Sequence, residues 1–374
     1  MTANNDISEV ALVYDKFLVR GGGERVFDVI ASAYPKAPIY ALNAYPKKEW
    51  ENRYNRPIHI PPLGWIFRSR IIVILLYPLA CFLMSRLVIK ARLVIVYSSS
   101  CGKYVQLNAD RSLLYSNYPN RGVFELSKVI KNPVLRVLAT PFAKIFRTLE
   151  IRQFEKYPCI ASISNNARES LKKYTGINSI VLHCPYNKEA FDGSIRNLGA
   201  SKKRDIQNRS FLMVSRLEPE KELEYAIAAF QNSTHKLRIA GVGSLYNRLK
   251  RRYSATNIEF LGFISDDQLA SEIEESIAVL FPSDIEYSLV PIEVNSLGKA
   301  VIAFDSSAAR ELLIDWSEDP VAGTAIMYKE KNGVSMFAAI NTAMNIDWDP
   351  AVLRHNATRF EPKEFIASLR LLTQ

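Results

Sequence analysis

The chain has 374 residues, of which 48% are hydrophobic and 23% are charged, so it can form two domains with buried cores and is not a disordered chain. Its four cysteines form no C-x-x-C pair, which argues against a metal cluster or a disulfide framework and favours a reducing compartment. The net charge of +10 is unevenly distributed: residues 1–200 hold 28 Lys/Arg and 14 Asp/Glu, whereas residues 201–374 hold 20 and 24.

The basic excess is concentrated in residues 52–109, which contain eight Lys/Arg and no Asp/Glu, and which include the longest apolar run, Ile71–Met84. This run is shorter than the ~20 residues that span a bilayer, and the polar N-terminus predicts no secretory signal. We therefore expect a cytoplasmic protein that is peripheral to the inner face of an anionic membrane. The alternative is a buried helix with solvated flanks.

Nucleic acid is not an expected partner, because no base-stacking pattern or binding motif is present.

Short apolar strands alternate with helical segments through both halves, a pattern that predicts parallel βαβ units. In the first half the strands are predicted at Val10–Tyr14, Leu93–Tyr97, Ser112–Tyr115 and Cys159–Ser164, with a Gly21–Gly23 turn and a Glu24–Ala33 helix after the first. Residues 192–209 are polar and aperiodic, so they are the predicted linker.

The second half has a clearer alternation of strands and helices. Its predicted strands are Phe211–Ser215, Leu237–Ala240, Ile258–Leu261, Ala278–Phe281, Val301–Phe304 and Ala325–Tyr328. Its predicted helices are Leu223–Gln231, Leu245–Tyr253, Asp267–Glu275, Pro291–Leu297, Ala308–Leu313 and an amphipathic Pro362–Leu372.

Three consecutive glycines, Gly21, Gly22 and Gly23, follow the first predicted strand. Glycines allow a phosphate to approach the backbone closely, and the next helix would direct its N-terminus at that phosphate. A plain tight turn explains the same three residues.

Arg216 and Lys221 lie between a predicted strand and a predicted helix. In a parallel sheet such a turn faces the ligand crevice. The planar Arg216 guanidinium and the compact Lys221 ammonium could converge there on two phosphate groups. Two solvated cations on a loop are the alternative.

A second candidate loop runs from Phe281 to Glu293 and ends in a predicted helix. Because Pro291 fits the start of that helix, Ser288, Leu289 and Val290 would offer free amides to a diphosphate. Glu293 in the first turn could accept two hydrogen bonds from a ribose diol. Alternatively, Glu293 only stabilises the helix dipole.

No metal site is expected. Asp284 and Glu286 could be read as a metal-binding pair, but two carboxylates are few ligands for Mg²⁺. The four histidines, His59, His183, His235 and His355, have no metal-ligand spacing and are interpreted as structural.

Together these motifs resemble the family-4 retaining glycosyltransferases of the GT-B fold. The matching segments in chain order are Gly21–Arg25, Leu114–Arg121, Arg216-x4-Lys221, Phe260–Phe263 with Asp267–Leu269, Tyr287–Glu293 and Gly298–Ala303. The segment Leu114–Arg121 is most similar to that of bacterial mannosyltransferases of O-antigen and exopolysaccharide assembly. The resemblance covers nearly the whole chain and is stronger in its second half.

The resemblance implies two Rossmann-like α/β domains that face each other across a cleft. An acceptor domain would span residues 1–195 and a donor domain residues 205–350, and a C-terminal helix within 355–374 could pack back on the first domain. The implied donor is a GDP- or UDP-linked sugar bound by Arg216, Lys221 and Glu293. Further nucleotide contacts are implied for the three glycines of the first loop, for Gly262 and Phe263, and for residues 288–290.

The implied reaction is the metal-independent transfer of a hexose, mannose-like, with retention, to a lipid-linked saccharide in cell-surface polysaccharide biosynthesis. No cofactor is implied besides the donor. Two departures from the family pattern affect the sugar end: Asn117 stands at the position of the family's histidine, and Ile285 at that of the first glutamate in Glu-x7-Glu. They support an alternative, a non-catalytic relative that binds a nucleotide or a partner enzyme. A sugar-nucleotide epimerase is a second rival, but no acid/base set for it is evident.

Overall fold

The computed structural model describes residues 8–18, 21–130, 132–186, 188, 210–231, 233–254 and 257–374. The chain divides into two compact units, one made of Met1–Cys184 together with Lys363–Gln374 and the other of Pro185–Pro362. Each unit has its own parallel sheet and its own buried core. The linker predicted over residues 192–209 lies outside the described residues.

The first unit contains a seven-stranded sheet in the order β3-β2-β1-β4-β5-β6-β7, with all neighbouring strands parallel. The central strands β1 and β4 are buried on both faces at their carboxyl ends, as expected when helices cover both sides of a parallel sheet. The strands are β1 Ser8–Tyr14, β2 Ile39–Ala41, β3 Ile58–His59, β4 Val88–Ser98, β5 Gln106–Ser116, β6 Cys159–Ser162 and β7 Ile180–Val181.

In the described part of the chain, eight helices of the first unit lie between the first and the last of these strands. They are α1 Gly22–Ala33, α2 Lys47–Tyr54, α3 Arg70–Leu75, α4 Tyr77–Ser85, α5 Arg121–Phe124, α6 Leu126–Val129, α7 Pro133–Glu155 and α8 Asn165–Thr175. Helix α8 begins at a Ser164 cap and ends where Gly176 adopts a left-handed φ of 77°, which suits glycine.

The apolar run Ile71–Met84 is not a single helix. It breaks at Leu76, between α3 and α4, and Pro78 in the first turn of α4 lacks the N–H that a continuous helix would need. Part of the run is buried, but Ile74, Leu75 and Phe82 are exposed. Neither a fully buried helix nor an uninterrupted apolar surface therefore describes it.

The second unit contains six parallel strands in the order β10-β9-β8-β11-β12-β13. They are β8 Phe211–Val214, β9 Leu237–Ala240, β10 Ile258–Gly262, β11 Val279–Phe281, β12 Val301–Phe304 and β13 Ala325–Tyr328. The helices are α9 Glu224–Phe230, α10 Tyr246–Tyr253, α11 Asp266–Glu275, α12 Val290–Ser296, α13 Ser307–Leu312, α14 Gly333–Met344 and α15 Pro350–Thr358.

Alternate residues of the second sheet enter two different hydrophobic clusters. Phe211 and Met213 belong to one, and Leu212 between them belongs to the other, so helices cover both faces of the sheet. The order of these six strands is that of a dinucleotide-binding fold. The first six strands of the other unit follow the same order. The predicted pair of Rossmann-like α/β domains is confirmed.

The C-terminal helix α16, Pro362–Leu372, has the predicted bounds. From Lys363 onward it belongs to the first unit, where the Phe365 and Tyr115 rings lie 5.7 Å apart. No helix in the described part of the chain is both long enough and apolar enough to cross a membrane.

Candidate functional site

The strand order of the second unit changes direction between β8 and β11. The chain moves outward from β8 to β9 and β10, then returns to place β11 on the other side of β8. In an open parallel sheet, ligands bind outside the carboxyl ends of the strands at this switch point. The loop that leaves β8 carries Arg216 and Lys221, and the loop that leaves β11 leads into the helix that carries Glu293.

The loop after β8 presents the two predicted cations at the carboxyl edge of the sheet. Leu217 is fully buried and anchors the loop, whereas the Arg216 side chain is 53% exposed and lies 3.9 Å from Glu220. Lys221 closes a short 3₁₀ turn, Pro219–Lys221, and its carbonyl accepts a hydrogen bond from Ser283 Oγ at 3.2 Å. This bond joins the β8 loop to the β11 loop.

Two glycines after β9, which the sequence analysis did not single out, determine how the β8 loop can run. A Cβ at Gly241, whose φ is 135°, would lie 1.9 Å from the Ser215 carbonyl oxygen, and one at Gly243 would lie 2.4 Å from that of Leu217. Only glycine allows this approach of the two backbones. The Gly-x-Gly spacing directly after a predicted strand is the sequence feature that could have indicated this close approach.

The loop after β11 leads into α12, with Leu289 as the N-cap residue and Pro291 in the first turn. The sequence analysis expected free amides at residues 288–290. The structure corrects this for Val290, whose N–H donates to Ser288 Oγ at 3.3 Å. Within the described part of the chain, the amides of Ser288 and Leu289 donate to no protein acceptor.

Glu293 lies in the first turn of α12 with only 2% of its surface exposed. A carboxylate removed from water needs compensating hydrogen bonds or a positive field, and a helix start supplies such a field. At the end of β10, Gly262 has a φ of 74° and its carbonyl accepts from the Gly241 amide at 2.7 Å. The Phe263 ring that follows is 80% exposed.

Asp284, considered above as half of a metal-binding pair, is engaged with a lysine instead. Lys331 Nζ lies 3.3 Å from its carboxylate and 2.7 Å from that of Glu222. Burial lowers the pKa of Lys331, but the hydrogen bonds to Glu222 and Asp284 outweigh it and leave the pKa raised. Among the described residues, no group of three or more His, Cys, Asp or Glu side chains could hold a metal ion.

Ile285, between Asp284 and Glu286, packs against the hydrophobic cluster that contains Phe281 and Ile292. It therefore presents no polar group to a ligand, and Asp284 on one side of it is already paired with Lys331.

In the first unit the three glycines form the start of α1 rather than a separate turn. Gly21 is the N-cap residue, and Gly22 and Gly23 are already helical, two residues before the predicted start. The Glu24 carboxylate accepts from the Gly21 amide at 2.9 Å and from Tyr14 Oη at 3.1 Å. A Cβ at Gly23 would lie 2.8 Å from Tyr14 Oη, so packing on this hydroxyl is one reason for glycine there.

Asn117 directly follows β5 at the carboxyl edge of the first sheet. Its Oδ1 atom is buried and has no hydrogen-bond partner among the described residues. Burial raises the pKa of the neighbouring Tyr97 phenol well above its ordinary value, and a hydrogen bond with the Asn117 side chain acts in the opposite direction. A buried acceptor without a partner is costly, so Asn117 is suited to receive a hydrogen bond from a ligand.

Asp15 connects the two loops at the switch point of the first sheet, between β1 and β4. Its buried carboxylate accepts from Ser98 Oγ at 2.6 Å, from the Gly102 amide at 2.7 Å and from the Ser99 amide at 2.8 Å. The sequence analysis did not identify Asp15. Its position one residue beyond a buried strand is the sequence feature that could have indicated this role.

Comparison with known proteins agrees with this architecture. Residues 194–360, most of which lie in the second unit, match the family model described as Glycosyl transferases group 1. The α-1,3/1,6-mannosyltransferase ALG2 of Kluyveromyces lactis is 23% identical over 219 residues, which is 48% of this chain and 39% of that protein. The matched part thus spans well under half the length of this relative.

Solved structures match along nearly the whole chain. Sucrose-phosphate synthase from Thermosynechococcus elongatus superposes with a TM-score of 0.69 at 13% identity, covering 98% of both chains. HepE of Anabaena in complex with UDP superposes with a TM-score of 0.63 at 14% identity, covering 96% of this chain and 98% of that one. These likenesses establish the GT-B fold.

Proposed function

We propose that this chain is a glycosyltransferase that takes a hexose from a nucleoside-diphosphate sugar bound at the switch point of the second unit. The observation that carries the proposal is the convergence, at one sheet edge, of Arg216, Lys221, the start of α12 and the buried Glu293. That edge lies within the segment matched by the glycosyl transferase model.

The chemistry of this edge suits departure of a nucleoside diphosphate. Negative charge develops on the leaving diphosphate as the glycosidic bond breaks, and preorganised cations and amides stabilise it. Arg216 and Lys221 would neutralise the phosphates, and the amides of Ser288 and Leu289 would donate to them at a positive helix end. Glu293 would accept from the ribose hydroxyls, and the exposed Phe263 ring offers a face against which a base can stack.

The transferred sugar is proposed to be mannose-like, since the distant curated relative is named a mannosyltransferase. Both GDP- and UDP-linked donors fit the proposal, and HepE was solved with UDP and with UDP-glucose. Retention of configuration is proposed on the resemblance to the retaining family. Ile285 leaves this end of the site without the family's first glutamate, so the hydrogen bonds to the sugar must come from other groups.

The proposed acceptor is a lipid-linked saccharide of cell-surface polysaccharide assembly, met at the inner face of the membrane. The first unit is proposed to bind it, and Asn117 is proposed to be the residue of this unit that contacts a sugar. The buried Oδ1 atom of Asn117, without a partner among the described residues, supports a ligand contact there.

A non-catalytic relative that binds a nucleotide or a partner enzyme is the second candidate. The packing of Ile285 in the core and the Asp284–Lys331 ion pair favour it, because neither residue can replace the missing glutamate as they stand. Under this alternative the diphosphate end of the site would still bind its ligand.

Saturation-transfer NMR against a panel of GDP- and UDP-linked sugars, followed by transfer assays with the donors that bind, tests the proposal. We expect one donor to bind through both nucleotide and sugar and to be consumed with a lipid-linked acceptor. Binding of the nucleoside diphosphate alone, without transfer from any donor to authentic acceptors, would establish the non-catalytic alternative.

A further inference from the structure

The N-terminal half of α7 carries an apolar surface that nothing in the described chain covers. Six large apolar side chains between residues 134 and 145 are each 55–70% exposed, although fully solvated positions on a helix usually carry polar residues. They are Val134, Leu135, Val137, Leu138, Phe142 and Ile145. A continuous exposed patch of large apolar side chains indicates an interaction site.

Helix α3 extends this surface. The Tyr77 ring at the start of α4 lies 5.7 Å from the Phe146 ring of α7, so the α3–α4 junction sits directly against α7. Ile74, Leu75 and Leu76, just before Tyr77, are also exposed. We define the α3–α7 surface as these three residues together with the six exposed apolar residues of α7.

A buried cluster fixes the α3–α7 surface to the body of the first unit. Glu150 of α7 is fully buried, and its carboxylate lies 2.8 Å from Lys103 Nζ and accepts from Tyr77 Oη at 2.6 Å and from Tyr104 Oη at 2.9 Å. These contacts hold α4 and α7 together, so the exposed side chains are presented on a firmly attached element.

The charges around the surface are of one sign. Residues 126–149 contain five Lys/Arg and no Asp/Glu, and the stretch 52–109 that includes α3 is likewise free of acidic residues. On α7, Lys144 is exposed and Arg136 is half-buried beside the apolar side chains. An apolar surface carried by two segments with basic and no acidic residues is complementary to a layer with an apolar interior and anionic headgroups.

A second copy of this chain fits the surface less well. A two-fold interface would place the same patch against itself, which would bring Arg136 and Lys144 of one copy towards those of the other, with no carboxylate in the N-terminal half of either α7 to compensate. Like charges placed together across an interface are unfavourable.

We infer that the α3–α7 surface docks on an anionic phospholipid bilayer, with the N-terminal half of α7 lying in the headgroup region and its apolar side chains inserted. This inference extends the membrane-side acceptor of the proposed function. It does not depend on catalysis, and it relocates the membrane contact from residues 52–109 alone to a surface in which α7 dominates.

Vesicle co-sedimentation tests the inference. Wild type should bind vesicles rich in phosphatidylglycerol at low salt, bind phosphatidylcholine vesicles weakly, and dissociate as salt screens the attraction, since the Debye length is ~10 Å at 0.1 M. The double variant Val137→Asp/Leu138→Asp should lower the partition coefficient by about tenfold or more, because it removes inserted groups and adds repelled charges. Val334→Asp, at an exposed position of the second unit, should bind like wild type.

Two controls separate folding and catalysis from membrane docking. Both aspartates replace exposed side chains, so thermal unfolding and nucleoside-diphosphate binding by the second unit should be unchanged in the double variant. The inference would be overturned if wild type did not bind anionic vesicles at low salt. It would also be overturned if the double variant bound them as well as wild type. A wild-type dimer that the double variant dissociates without any lipid binding would overturn it too, because the surface would then join two copies.

Discussion

At the scale of single residues, Asn117 is where sequence and structure together are most informative. The family resemblance proposes only that an amide stands where the family has a histidine, whereas the structure shows that its Oδ1 atom is buried without a partner among the described residues. An amide can hydrogen-bond a sugar hydroxyl but cannot carry the charge of a protonated histidine. We therefore expect Asn117 to orient the sugar rather than to stabilise charge.

The variant Asn117→Ala tests this role. Donor turnover should fall by about tenfold or more, because a hydrogen bond made in the transition state is lost. Affinity for the free nucleoside diphosphate should not change, since that ligand is assigned to the second unit. Rate assays with the full donor and calorimetry with the diphosphate give both values, and an unchanged transfer rate would show that Asn117 has no part in the reaction.

Gly243 makes a second prediction at this scale. A methyl group there would meet the Leu217 carbonyl oxygen at 2.4 Å, a backbone atom that can move only with the whole loop that carries Arg216. Gly243→Ala should therefore weaken diphosphate binding and destabilise the second unit by about 1–3 kcal/mol.

Gly176→Ala in the first unit is the matched control for Gly243→Ala. Gly176 has a φ of 77° and open space around it, so the substitution costs about 1 kcal/mol of backbone strain without displacing a neighbour. It should lower the melting temperature and leave diphosphate affinity unchanged. Equal affinities of wild type and Gly243→Ala would show that contact with β9 does not position the Arg216 loop.

At the scale of elements, the buried Glu150 cluster joins α4, α7 and the short turn that contains Lys103. Removal of one member of a buried ion pair leaves the other charged and uncompensated, which typically costs about 3–5 kcal/mol. Glu150→Ala should therefore destabilise the first unit by about this amount. Hydrogen exchange should show faster exchange in α4 and α7 while the second sheet stays protected.

The combined variant Lys103→Met/Glu150→Leu is the control for this prediction. Replacement of both charges by apolar side chains of similar size leaves no charge uncompensated, so it should recover most of the lost stability. If Glu150→Ala unfolds at the same denaturant concentration as wild type, the buried pair does not hold these helices together.

Sequence patterns predicted some elements far better than others, for physical reasons. Strands β12 and β13 have their predicted bounds because each is an unbroken apolar run that is almost entirely buried, and β9 has its predicted bounds although Arg238 interrupts its apolar residues. Strands β2 and β3 have only three and two residues, too few to show a period. Helix α7 was not predicted because its apolar residues face outward, whereas the pattern sought was one buried stripe.

The residues of the candidate site also differ in how well the sequence could predict them. Arg216, Lys221 and Glu293 lie in strand-to-helix turns, where chain order alone places them at one edge of a parallel sheet. The roles of Gly241, Gly243 and Asp15 depend on distances between backbone segments far apart in sequence. The bond that joins Ser288 to Val290 depends on a rotamer, and no spacing rule could reveal either kind of contact.

At the scale of the whole molecule, charge is divided between the two units in the manner expected of their proposed partners. The cationic first part of the chain carries the surface assigned to the membrane, and the second part carries the proposed nucleotide site. The proposal assigns stabilisation of the departing diphosphate's negative charge to side chains and a helix start, so donor turnover should persist in EDTA. Loss of activity on chelation and its return with Mg²⁺ or Mn²⁺ would instead require Asp284 to leave Lys331 and bind metal.

The central claim is that the switch point of the second unit binds the diphosphate of a sugar nucleotide, and calorimetry with GDP and UDP tests it most directly. Wild type should bind at least one of the two. Arg216→Ala should weaken that affinity about tenfold or more, because a charged hydrogen bond contributes ~1.5–3 kcal/mol. Arg251→Ala, an exposed arginine on α10, should bind like wild type. Failure of wild type to bind either diphosphate, or equal affinity in Arg216→Ala, would contradict the claim.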